Sequence, residues 1–157
     1  MNSRLEYGRR SPAGYRAFLA LNEFVENCGI EHTLLELIKI RASQLNGCAF
    51  CIDMHTIDAR AAGESEQRIY LLDAWREAPF YSDRERAALA WTEAVTLVRE
   101  TQVPDDVYLE TLRHFTEEEL VDLTWAVVTI NGWNRMAIAF RAQPGHHEAK
   151  SIPLEPA

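Results

Sequence analysis

The chain has 157 residues, with 24 Asp plus Glu against 16 Lys plus Arg and a formal charge of −8. That length suits one domain with its own core, and 47% hydrophobic with 25% charged residues is the balance of a globular chain rather than a disordered one. The acidic balance excludes the Lys/Arg-rich face that nucleic acids and anionic membranes require, and no apolar run approaches the roughly 20 residues that cross a bilayer.

In chain order, the amino-terminal arm carries Arg4, Arg9, Arg10 and Arg16 against Glu6 alone, without an apolar signal core after the arginines. It reads as packing or subunit contact rather than targeting, and a cytoplasmic location is expected. Ser11-Pro12 opens a first helix, whose apolar positions Tyr15, Phe18, Leu19, Leu21, Phe24 and Val25 recur at helical spacing until Gly29. A second spans His32 to about Asn46 with an apolar set broad enough for a buried helix, and Gly47 is its natural carboxy-terminal cap. A third runs from about Cys48 to Gly63, and a short one covers Ser65 to Trp75 before Pro79. Ser82 through Glu85 form a capping box that opens a helix reaching about Thr101. After Pro104 a brief helix covers 105–114, and a second box at Thr116–Glu119 opens the longest helix, ending near Arg141. No segment alternates with strand period, so the expected fold is all-α. One domain is expected over 1–157, with a motif core at 31–100 and a tail at 142–157 that frays or lies on a neighbour.

Three cysteines are too few, and odd in number, for a secreted disulfide framework, and Cys48 and Cys51 form a C-x-x-C that points to redox or metal chemistry. On a helix Cys48, Cys51 and His55 share one face. An imidazole there can take the proton from Cys51, while the helix amino terminus favours a thiolate at Cys48. Glu36 is the acidic position of the second helix most surrounded by apolar neighbours. Buried, it needs a partner, and His55 on the helix folded back beside it is a suitable one. That pairing makes a carboxylate–imidazole–thiol relay. The alternatives are two core thiols without chemistry, or a zinc site in which C-x-x-C-x-x-x-H is joined by Glu36 or Asp53. The zinc site lacks the second ligand pair usual in structural zinc, since Cys28 is a single distant thiol.

Glu36, then Ser43-x-x-x-Gly47, then Cys48-x-x-Cys51 and His55, resembles the alkylhydroperoxidase D-like branch of the carboxymuconolactone decarboxylase superfamily. Phe80 through Ala94 and the Asn131-Gly132-Trp133-Asn134-Arg135 segment resemble further parts of that family, so the likeness covers roughly residues 4–141. The resemblance implies an all-helical homo-oligomer, trimer or hexamer, that reduces hydroperoxides without a metal or organic cofactor. Cys51 is then the peroxidatic thiol, Cys48 the resolving one, and Glu36 and His55 the proton relay. The implied reductant is an external dithiol or protein, with a lipoyl-linked protein or a peroxiredoxin as examples. Phe50 departs from the best-known members, which carry a relay histidine there. A redox-sensing oligomer with a reversible disulfide and a zinc-binding module stand as alternatives.

The remaining residues carry less. His32, His114, His146 and His147 have no reactive neighbour at useful spacing and read as surface or tail residues. Cys28 reads as packing, and Trp91, Trp125 and Trp133 as core. Asn131 and Asn134, polar in an apolar helix, either link subunits or line the thiol pocket.

Overall fold

The computed structural model describes residues 2–149, and among them there is no strand. The helices are α1 (Tyr7–Arg10), α2 (Pro12–Glu26), α3 (His32–Asn46), α4 (Ala49–Ala61), α5 (Glu66–Leu71) followed by a 3₁₀ turn (Leu72–Ala74), α6 (Asp83–Thr96), α7 (Val98–Thr101), α8 (Asp105–Leu112) and α9 (Glu117–Phe140). The all-α expectation holds, in a single-domain fold. No helix among the described residues is long and apolar enough to cross a membrane.

Helix α3 is the axis of the molecule. Its residues from Leu34 to Ser43 are all buried, which is what a helix with apolar positions on every side achieves only when neighbours surround it. Toward α2, α6 and α9 it packs Leu34, Leu35 and Ile38 against Val25, Ala88, Trp91, Leu123 and Val127. On another side Leu37 and Ile40 meet Ala59, Leu72, Trp75 and Leu89. Its last turn contributes Ala42 to a third cluster with Cys48, Cys51, Ile130 and Ala137. Burial of each Leu or Ile side chain contributes about 1.5–3 kcal/mol, so α3 anchors the three clusters together.

The turn after α3 sets the approach of α4. Gly47 has φ +68°, and its N–H and that of Cys48 close the end of α3 on Gln44 and Ser43 carbonyls. A residue with no Cβ adopts that left-handed conformation at little cost. Both capping boxes expected from the sequence are present, at Ser82/Glu85 and Thr116/Glu119.

One element is unforeseen and two expectations need correction. The amino-terminal arm, expected to pack, includes the short helix α1, which the arginine-rich sequence does not announce. The helix opened at Ser82 does not reach Thr101 unbroken: it stops at Thr96, and Val98–Thr101 is a separate turn, with the Thr101 hydroxyl donating to the Ala94 carbonyl at 2.6 Å. Trp125 is 44% exposed rather than core, on a stripe of α9 with exposed Val121 and Val128. Trp91 is buried as expected.

Close approach of α2 to α9 depends on Gly132: a Cβ there would lie 2.3 Å from the Phe18 ring, which is itself packed 4.5 Å from Trp133, centroid to centroid. Gly132→Ala is therefore expected to lower stability by about 1–3 kcal/mol through overpacking. Chemical denaturation should show the loss, and Phe18→Leu in the same chain should recover part of it.

Candidate active site

Four side chains singled out in the sequence form two pairs where α3 packs on α4, the Cys48–Cys51 disulfide and the His55–Glu36 contact. Cys48 is the N-cap of α4, one residue outside the helix, and Cys51 lies in its first turn. Their sulfurs are joined as a disulfide with the Cα atoms 5.4 Å apart. Both cysteines are about 1% exposed. Phe50, Trp133 and Ala142 pack against the cluster that holds them, so the disulfide sits in largely apolar surroundings. Cys28 is a free thiol, half-buried beside the main core.

One turn further along α4, His55 is buried and its Nδ1 lies 2.9 Å from Glu36 Oε2. The other carboxylate oxygen, Oε1, accepts a hydrogen bond from Lys39 Nζ at 2.9 Å. Lys39 also donates to Glu26 Oε1, from α2, at 2.6 Å. Three helices thus converge on one buried carboxylate. Burial pushes the Glu36 carboxyl up, but the hydrogen bond and charge of His55, and then those of Lys39, outweigh it and hold the group at about 2. Burial likewise opposes the Lys39 charge, yet Glu36 and Glu26 together raise its ammonium above the ordinary value. With Nδ1 engaged by Glu36, the second ring nitrogen of His55 is left for other partners, and Cys51 is four residues back on the same face.

The base of the disulfide is polar and tied together. Asn46 Nδ2 donates to Asn131 Oδ1 at 3.0 Å and to Asn134 Oδ1 at 2.8 Å. Asn134 donates on to Ser43 Oγ, and Ser43 to the Lys39 carbonyl. Asn131 donates to Thr96 Oγ1 and accepts from Arg135. The two asparagines left open by the sequence therefore bind within the chain, fastening α9 to the end of α3 immediately before Cys48. Their partners are far apart in sequence, which is why spacing alone did not reveal the role.

Two residues were missed. Asp58 is buried on α4, and His147 Nε2 lies 2.7 Å from its Oδ1. The same segment places the Gly145 N–H 2.7 Å from Asp53 Oδ2. Expected to fray or lie on a neighbour, the tail up to Ala149 instead lies along its own α4. Residues 150–157 fall outside the described residues. Asp58 recurs one turn after His55, a spacing that could have been noticed, whereas nothing in the sequence links it to His147.

For metal binding, Glu36, His55 and Asp58 each offer a donor atom within 4.8 Å of the others, as do Glu26, His32 and Glu36. The zinc arrangement weighed from the sequence needs both thiols, which here are bonded to each other. Asp53, its other weighed ligand, is held by Gly145.

A buried thiol pair beside a carboxylate-held imidazole, on an all-helical scaffold, defines the class of molecule. Residues 12–94 match the carboxymuconolactone decarboxylase family model, and the chain belongs to that family. Within it, the chain falls in the alkylhydroperoxidase D-like branch. It is 48% identical over 139 residues to the uncharacterized protein YdfG of Bacillus subtilis, covering 88% of this chain and 95% of that one. It superposes with a TM-score of 0.90, at 46% identity, on the Agrobacterium tumefaciens protein ATU0492, a protein of unknown function and candidate antioxidant defence protein AhpD; 93% of this chain and 100% of that one are covered. An uncharacterized peroxidase-related protein of Ralstonia eutropha, an alkylhydroperoxidase AhpD core, shares the fold with a TM-score of 0.79 at 22% identity, over 89% of this chain and 75% of that one.

The Glu36 charge carries a pH signature. A carboxyl depressed to about 2 in the folded chain, against an ordinary value of 4.5, adds stability that is complete above the unfolded value and disappears as pH falls from about 5 toward 2. Glu36→Gln also leaves Lys39 with Glu26 alone, and breaking a buried ion pair costs roughly 3–5 kcal/mol. Denaturation midpoints measured at successive pH values should show the variant far below the unsubstituted chain at pH 6 to 7, and the two converging near pH 2.

Proposed function

We propose that this protein is a thiol-dependent peroxidase and disulfide oxidoreductase that reduces hydroperoxides through Cys48 and Cys51. The observation that carries the reading is the coincidence of a C-x-x-C disulfide with the buried Glu36–His55 pair on one face of α4. Likeness to candidate AhpD and peroxidase-related proteins supports it.

In the reduced protein His55, oriented by Glu36, takes the proton of the Cys51 thiol. The thiolate attacks the terminal peroxide oxygen and the O–O bond breaks. Cys51 becomes a sulfenic acid, and the leaving alkoxide takes the proton held by His55 and departs as an alcohol. Cys48 then attacks the Cys51 sulfur. The S–O bond breaks, water leaves with the Cys48 proton, and the disulfide forms. An external dithiol returns two electrons and two protons by thiol–disulfide exchange. Cys51 is assigned the first attack because it shares the helix face of His55 one turn away. Cys48 sits at the N-cap, where helix N–H groups stabilise it as the thiolate that leaves during re-reduction.

The exposed apolar stripe Val121, Trp125 and Val128, with Tyr108, Leu109 and Val98 also exposed on α8 and α7, supports the homo-oligomer implied by the family. Trimer and hexamer remain the forms to distinguish by mass measurement in solution.

Peroxide consumption with a dithiol reductant should fall to background in Cys51→Ser. In pre-reduced Cys48→Ser freed of reductant, one equivalent of peroxide should be consumed, leaving a sulfenic acid detectable by mass spectrometry and by dimedone trapping. Full turnover in Cys51→Ser would refute the mechanism.

A further inference from the structure

We infer that the cavity between α1, α2 and α9 is a binding site for a small amphipathic anion: a carboxylate with an apolar body, of which a fatty acid is the simplest, lying with its chain among aromatic rings and its charged end on Arg135. The inference goes beyond the thiol chemistry and does not depend on it.

The cavity has a volume of about 480 Å³, within the range of roughly 300–1,000 Å³ that small-molecule sites occupy. Tyr7, Tyr15, Phe18 and Trp133 line it, with Met136. The rings brace one another: Tyr7 lies 6.1 Å from Tyr15, Tyr15 meets Trp133 edge-on at 5.7 Å, and Phe18 is 4.5 Å from Trp133, centroid to centroid. Gly14, a residue that helices otherwise disfavour, leaves the α2 wall without a side chain, and a Cβ added there would meet only Ser11 Oγ, at 3.1 Å. The arm that carries α1 is fastened to the end of α9, the Arg4 N–H donating to the Phe140 carbonyl at 2.9 Å and Arg4 Nη1 to the Ala139 carbonyl at 3.0 Å. The walls are therefore in place before a ligand arrives, which lowers the entropic cost of binding. Trp133 also packs on the cluster that holds the disulfide, so the apolar end of a ligand would rest on a ring shared with the thiol site.

Charge selects the occupant. Arg135 is the one charged residue among the described residues lining the cavity. It is exposed and also borders a smaller cavity of about 280 Å³ toward α6 and α7, which puts it at an edge of the larger one. Arg41, Arg68 and Arg84 each pair with carboxylates. Arg135 makes no ion pair among the described residues; its Nη1 donates instead to the Asn131 carbonyl and Oδ1, at 2.8 and 2.9 Å. That anchors the guanidinium and leaves it further N–H donors, which take a carboxylate as a fork. Burial and the neighbouring Tyr15 push the Tyr7 phenol up, so it stays neutral and adds no negative charge to the wall. At the α1 end the arm carries Arg4, Arg9, Arg10 and Arg16 against Glu6, and Glu6 is met by Arg9. In a chain of net charge −8, this apolar cavity is flanked by cations, a setting that favours an anion over a neutral or cationic ligand of the same length.

Calorimetric titration of the full chain in its native assembly tests this, with decanoate, 1-decanol and decyltrimethylammonium as probes below their micellar or solubility limits. Decanoate should bind at one site per chain, about tenfold or more tightly than 1-decanol, and the cation should bind no better than the alcohol. Arg135→Met should bring decanoate down to the affinity of 1-decanol and leave the alcohol unchanged, while Arg135→Lys should keep most of the preference. Gly14→Leu, which fills the cavity, should abolish binding of both, with a thermal melt to show that the variant is folded. Equal affinity for decanoate and 1-decanol, an undiminished preference in Arg135→Met, or decanoate binding retained in folded Gly14→Leu overturns the inference. So does decanoate that binds only as the assembly dissociates, since the cavity is then a contact between copies of the chain. None of these readouts involves the thiols, so the result stands apart from whether Cys51→Ser abolishes peroxide turnover.

Discussion

A carboxylate buried in the middle of an apolar helix must have its charge met, and Glu36 is met from two directions at once. Lys39 reaches it from the next turn of α3, and His55 reaches it from α4. Lys39 is held in turn by Glu26 on α2. Satisfying one charge therefore fixes the relative placement of three helices, and the thiol pair lies one turn from the junction. Were the cluster apolar, α3 and α4 could shift against one another by small repacking at modest cost. A buried carboxylate hydrogen-bonded to an imidazole at 2.9 Å does not tolerate such a shift, because leaving that charge unmet costs more than the contacts a slide would recover.

The same principle recurs elsewhere on α3. Arg41, buried among apolar side chains, donates from Nε to Glu93 Oε1 at 2.8 Å and pairs with Asp73. Glu93 also accepts from Trp75 Nε1 at 2.8 Å and pairs with Arg76 at 2.6 Å. At the helix end, Ser43, Asn46, Asn131 and Asn134 satisfy one another. A helix that is buried on all sides yet carries Glu, Lys, Arg and Ser is sustained by these networks, each of which reaches a different partner helix. One of these networks braces the turn before Cys48 and another holds His55 on Glu36.

Much of this was legible in one dimension because it is local. Helix periodicity, Gly47 as a left-handed cap and the two capping boxes depend on residues within a few positions of each other. The shared face of Cys48, Cys51 and His55 follows from helical spacing alone, and the suggestion that Glu36 needs an imidazole follows from its apolar surroundings. Errors came where the deciding contact is distant or absent. Trp125 sits on a stripe that looks like core, and only the placement of α3, α6 and α2 around α9 leaves it facing outward. The break at Leu97 depends on a backbone turn that the Thr101 hydroxyl closes on the Ala94 carbonyl, where the apolar pattern runs on without interruption. His147 and Asp58 are separated by 89 positions, and no periodicity links a tail residue to a helix it crosses only after folding.

By itself, then, the sequence determined an acidic all-α chain, the boundaries of most of its longer helices to within a few residues, and a C-x-x-C-x-x-x-H stripe, since each is set by spacing along one helix. Only the tertiary structure decided what surrounds that stripe: which oxygen of Glu36 faces His55 and which faces Lys39, which asparagines brace the turn before Cys48, which aromatic rings pack against the cluster that holds the disulfide, and which tail residue reaches Asp58. Those depend on the packing of helices far apart in the chain, and a hydrogen bond across helices is specified by three-dimensional approach to a few tenths of an ångström, which residue spacing does not encode.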